Sequence, residues 1–143
     1  MAVAVNPDKH IRRRVFDLVN NIMVDGYNVR CFDSRITQNF DLNQYILLTS
    51  QTKNIAKPNK CEYRWETSLL IEIYTRSPNA GNPGSRVFLN DIEQAAYLLL
   101  APSIDISGFK TLIQNITFET QLETVTSTEN IFRSFLRLNL TLI

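Results

Sequence analysis

The stretch that decides the fold is WETSLLIEIYTRSPNAGNPGSRVFLNDIEQAAYLLLAP, residues 65–102. Its first part alternates. From Cys61 onward, Tyr63, Trp65, Thr67, Leu69, Ile71 and Ile73 fall on one face of an extended chain, and Glu62, Arg64, Glu66, Ser68 and Glu72 on the other. This period of two predicts a long strand over residues 61–75 with one apolar and one polar face. SPNAGNPG then sets two prolines and two glycines in eight residues, which neither helix nor strand tolerates. From about Ser85 the period becomes helical. Phe88, Leu89, Ile92, Ala95, Ala96 and Leu99 form a broad apolar stripe that Ala101 and Pro102 stop.

Working upstream, Asn6 caps and Pro7 opens a helix on which Ile11, Val15, Leu18, Val19 and Ile22 recur at helical spacing, with Gly26 as its end. Lys9, Arg12, Arg13 and Asp17 fall on its wet face. YNVRCF reads as a short strand, DSRITQNFDLNQ as turns, and QYILLTSQ as a second strand. TKNIAKPNK, rich in lysine and turn formers, reads as a projecting hairpin around residues 52–60. Downstream, Ile116, Phe118, Thr120 and Leu122 share one face of a strand. Phe132, Leu136, Leu138, Leu140 and Leu142 share one face of another, with a turn at residues 127–130 between them. The order α-β-β-β-α-β-β predicts an α+β fold: a mainly antiparallel five-stranded sheet with two helices packed on one face.

With 143 residues, the chain reads as a single domain over 1–143 that hides roughly 70% of its unfolded surface. Its apolar share of 44% and charged share of 20% match a globular chain, so no disordered tract is expected. No apolar run approaches the ~20 residues of a membrane span, and MAVAVNPDKHIRRR lacks the pattern of a signal peptide, which predicts cytoplasmic synthesis and no membrane partner. The net charge of +1 conceals an asymmetry. Residues 1–60 carry nine Lys/Arg against five Asp/Glu, and residues 61–143 carry six against nine. Two faces of opposite sign would let one copy steer the next into register.

Chemistry-bearing patterns are sparse. The single histidine, His10, falls in the first turn of a helix, away from any nucleophile motif. Cys31 and Cys61 sit in strand-like contexts as reduced thiols, and with His10 they show no zinc spacing. Neither GxGxxG, GxxxxGK[ST] nor GxSxG occurs. The carboxylate pairs Glu62/Glu66 and Glu119/Glu123 read as solvated strand faces, and Phe118, Phe132 and Phe135 stand among leucines and isoleucines as core. No enzyme activity and no cofactor are expected.

YNVRCFDS, QYILL, WETSLLIEIYTRSPNAGNPGSRVFLNDIEQAAYLL and the closing pair of strands together resemble the phage tail terminator and tail completion family, over nearly the whole chain. Gln44 stands where that family often has proline, and the hairpin is longer than its tightest version, so a neck ring or connector adaptor stands beside the terminator proper. The resemblance implies a virion protein assembled in the host cytoplasm. It implies a homo-oligomeric ring, hexamer or dodecamer, contacting other neck, connector or tail tube proteins. Genomic DNA would pass through its lumen without sequence-specific binding. The hairpin and the loop over 77–85 then become the expected subunit contacts: Lys53, Asn54, Lys57, Asn59, Lys60, Arg76, Asn79, Asn82 and Arg86. A monomeric nucleic-acid-binding or adaptor domain is the alternative, distinguished by salt-dependent DNA binding.

Overall fold

The computed structural model describes residues 6–33, 43–59, 62–77, 84–125 and 130–143. Its first helix, α1 (Asp8–Val19), starts where the Asn6 Oδ1 accepts the Asp8 backbone N–H at 2.9 Å. Ile11, Val15 and Val19, four residues apart, are its buried stripe. The helix ends sooner than its apolar spacing predicts, because Asn20 is extended and Asn21 takes a φ of 58°, a left-handed conformation that asparagine accepts more readily than most side chains. Ile22, read as helical, instead opens β1 (Ile22–Val24). Asp25 and Gly26, at φ 51° and 83°, then turn the chain into β2 (Tyr27–Phe32), with Val24 facing Tyr27. Two consecutive positive φ values are what a two-residue hairpin of matching twist requires, so Gly26 serves this hairpin and not the helix end.

β3 (Gln44–Asn59) and β4 (Glu62–Ser77) are 16 residues each and pair antiparallel along their length, which makes the expected hairpin a two-stranded arm. Pro58 lies within the register shift between Ala56 and Asn59, a position where the missing N–H costs no regular ladder bond. After α2 (Gly84–Leu100) come β5 (Thr111–Val125) and β6 (Asn130–Leu142), antiparallel to each other, with β6 also pairing β4.

The expectation of a mainly antiparallel five-stranded sheet is overturned. The protein is mostly sheet, and six strands are described, in the order β1-β2-β3-β4-β6-β5, forming a mixed sheet curled into a half-barrel. The additional strand is β1, which the helical reading had absorbed. The mixed character comes from β2 and β3, which run parallel with Arg30 opposite Tyr45 and Phe32 opposite Leu47. Alternation tells which face a side chain takes and nothing about the direction of the neighbouring strand. The predicted turns between these strands fall largely at 34–42, outside the described residues. Register shifts at Leu48/Gln51, Ala56/Asn59 and Glu119/Leu122 interrupt the long ladders, and such bulges add twist and curl.

The core lies between the helices and one face of the sheet, with α1 and α2 in contact. Ile46 and Leu48 of β3, Leu69, Ile71 and Ile73 of β4, and Leu136, Leu138, Leu140 and Leu142 of β6 meet Leu89, Ile92, Ala96 and Leu100 of α2. Each such side chain, fully buried, contributes about 1.5–3 kcal/mol of transfer free energy. The opposite face is not uniformly wet, for Leu47, Ser68 and Glu72 point there and are 5%, 8% and 9% exposed.

Candidate functional site

The groups able to do chemistry are dispersed and engaged. His10 is half-buried on α1 with its ring 6.2 Å from that of Phe109. Cys31 is buried, and desolvation, then the Asp33 charge, pushes its thiol up to about 12, so it carries almost no thiolate at neutral pH. Cys61 lies outside the described residues. Glu119 is bound to Arg137 at 2.9 Å, and Glu66 and Glu123 are exposed. Among the described residues, no three His, Cys, Asp or Glu converge to hold a metal ion.

The residues expected at subunit contacts divide between the two ends of β4. Lys53, Asn54, Lys57 and Asn59 all lie on the β3 side of the arm. Asn54 is exposed opposite Glu66, whereas the Lys53 Nζ reaches back 2.6 Å to Asp8 Oδ2 and ties the arm to the start of α1. The side chains of Lys57 and Asn59, and Lys60, Asn79 and Asn82 altogether, lie outside the described residues. Arg76 is half-buried at the far end of β4, its N–H donating to the Asn43 carbonyl at 2.7 Å. Arg86 is exposed on the first turn of α2, with its guanidinium 5.9 Å from the Phe132 ring centroid. Ten residues of strand separate Glu66, beside Asn54, from Arg76, which is about 33 Å. The two groups belong to different surfaces.

Arg12, placed by the sequence on the wet face of the helix, is a clamp. Its guanidinium donates to Asp33 Oδ1 at 2.7 Å, to the Leu48 and Thr49 carbonyls at 3.2 and 2.5 Å, and to Gln51 Oε1 at 2.8 Å. It closes the edge of β3 just beyond the point where β2 stops covering it.

Two surfaces were not read from the sequence. The first is the β5 side. Phe118 was assigned to the core, yet it is 52% exposed against Tyr97 of α2, 5.3 Å between ring centroids. Its partner on β6, Leu136, is buried, but β5 is the outermost strand and no further element covers it. The bulge between Glu119 and Leu122 also breaks the predicted alternation, so Leu122 faces Arg133 on the opposite side of the sheet from Ile116 and Phe118. Ile113 at 58% and Leu122 at 44% exposure extend the apolar edge. The second surface is the sheet face away from the helices, where Tyr45 and Tyr74 stack at 5.0 Å with 9° between planes. The Arg133 guanidinium is 5.9 Å from the Tyr74 ring, and the Tyr74 hydroxyl donates to Glu72. Burial is the first cause raising both phenols above their ordinary range. The one signal that could have found the extra strand was Asp25-Gly26 between apolar runs, a strong hairpin mark.

No family model matches this sequence. No curated protein matches it either. Among solved structures, the chain has the fold of a chain in the virion of a native gene transfer agent (GTA) particle. The two are 12% identical with a TM-score of 0.62, and the alignment covers 96% of this chain and 99% of that one. At that identity the likeness is one of fold.

Proposed function

We propose that this protein is a structural component of a phage-like virion, forming a ring in the neck or at the head-proximal end of the tail that joins tail to connector. The observation that carries the reading is the fold shared, over nearly the whole of both chains, with a chain of the gene transfer agent virion. A fold does not by itself fix a function. Here it agrees with the family resemblance of the sequence, and the groups that could do chemistry are buried or paired, as Cys31 and Glu119 are. The surfaces then carry the function, and a head-to-tail contact repeated by rotation closes a ring. Neighbouring neck, connector or tail tube proteins are its partners, and genomic DNA passes through the lumen without base-specific contacts.

Negative-stain imaging and light scattering of the purified chain, alone and with virion particles lacking it, test this reading. Closed rings, or rings formed on the particle, are expected. Material that remains monomeric in both settings and binds duplex DNA with a steep salt dependence would favour the nucleic-acid-binding alternative.

A further inference from the structure

Two strand edges of this molecule have no neighbour among the described residues, and they differ in charge. β5 closes one side of the sheet, and along 113–119 its register with β6 is unbroken while its other edge is unpaired. β3 is covered by β2 only at Tyr45, Ile46 and Leu47. Beyond the carbonyls held by Arg12, residues 51–56 run in unbroken register with β4 and leave their other edge unpaired. β3 contains Lys53 and Lys57 and no carboxylate, whereas β5 contains Glu119 and Glu123 and no basic residue. A row of unpaired N–H and C=O groups is a template for another strand, and neither clean stretch carries a proline to prevent it.

We propose that the β3 edge of one copy adds to the β5 edge of the next, so that the sheet continues from subunit to subunit. This rests on the ring-forming reading above. The occupant is a second copy because this chain carries both halves of the junction, matched in clean length at six and seven residues and opposite in sign. Two β5 edges meeting about a twofold axis would set Glu119 and Glu123 against their own kind, which cross-strand pairing disfavours. The β3-to-β5 contact is heterologous: each copy uses one edge and offers the other, which propagates and closes by rotation. It also covers apolar surface. Ile55, 44% exposed and on the helix-side face of the arm opposite Trp65, comes alongside the β5 edge that carries Phe118 on that same face.

Amide hydrogen exchange on the full chain, assembled and diluted to monomer, tests the junction. Amides within both 51–56 and 113–119 are expected to slow by about tenfold or more on assembly, since each gains a strand partner. Ile113→Lys, at an exposed position, is expected to abolish assembly while leaving the circular dichroism spectrum unchanged. Rings in which both stretches exchange at monomer rates overturn the junction and leave the ring intact. Protection of 113–119 alone overturns it in favour of a twofold contact. A chain that stays monomeric at every concentration and on virion particles overturns the junction and the ring together.

Discussion

The Nη2 of Arg12 lies 2.5 Å from the carbonyl oxygen of Thr49, joining the middle of α1 to the edge of β3. The same guanidinium also holds Leu48, Gln51 and Asp33. The planar fork of arginine reaches these acceptors at once; a lysine ammonium cannot. Arg12→Ala is expected to cost about 2 kcal/mol, the scale of hydrogen bonds to a charged donor, and Arg12→Lys to recover less than half of it. Urea denaturation checks both, and a loss below half a kcal/mol for the alanine variant would show the clamp to be idle.

Gln114 finishes α2 from a neighbouring strand. Its Nε2 donates to the Leu100 and Pro102 carbonyls, each at 2.7 Å, and its Oε1 accepts the Ile104 N–H at 2.9 Å. These backbone groups lie where a helix end leaves carbonyls without intrahelical partners. Gln114→Ala is expected to destabilise the fold by about 1–3 kcal/mol and to quicken amide exchange at Ile104. Unchanged exchange at that amide would locate the cap elsewhere.

The exposure of Phe118 separates it from the core residues with which its sequence context groups it. Phe118→Ala is expected to lower stability by about 1 kcal/mol, against about 2–5 kcal/mol for Ile92→Ala, which empties a fully buried site. Equal losses in thermal or chemical unfolding would return Phe118 to the core.

The buried thiol of Cys31 makes stability depend on alkaline pH. Its proton leaves near 9.0 in an unfolded chain and near 12 in the folded one. The raised folded value means the contribution is whole below pH 9 and fades as pH climbs toward 12, with a slope approaching 1.4 kcal/mol per pH unit, roughly one proton. Tyr45 and Tyr74 act in the same direction above pH 10, so comparing the wild type with Cys31→Ala isolates the thiol. Parallel stability curves from pH 8 to 11 would remove Cys31 as the cause.

Much of the fold was legible. The alternation at Leu69, Ile71 and Ile73 and the helical stripe at Leu89 and Ile92 report burial directly, and these residues are in the core. The early end of α1 was harder to see, because Ile22 fits a helical period and only the backbone at Asn21 breaks it. Of the expected contact residues, the hairpin group could be placed together by sequence proximity, but Lys53 binds Asp8, 45 positions away, a partner that no local pattern announces.

Local spacing by itself determined where strands and helices form and which of their faces turn inward, because periodicity is a property of neighbouring residues. Only the tertiary structure decided that β2 runs parallel to β3, that Phe118 stands at an uncovered margin, and that a lysine-bearing and a glutamate-bearing edge are both left open. Those outcomes depend on which strand lies beside which, and strand order is fixed by contacts between residues far apart in the chain.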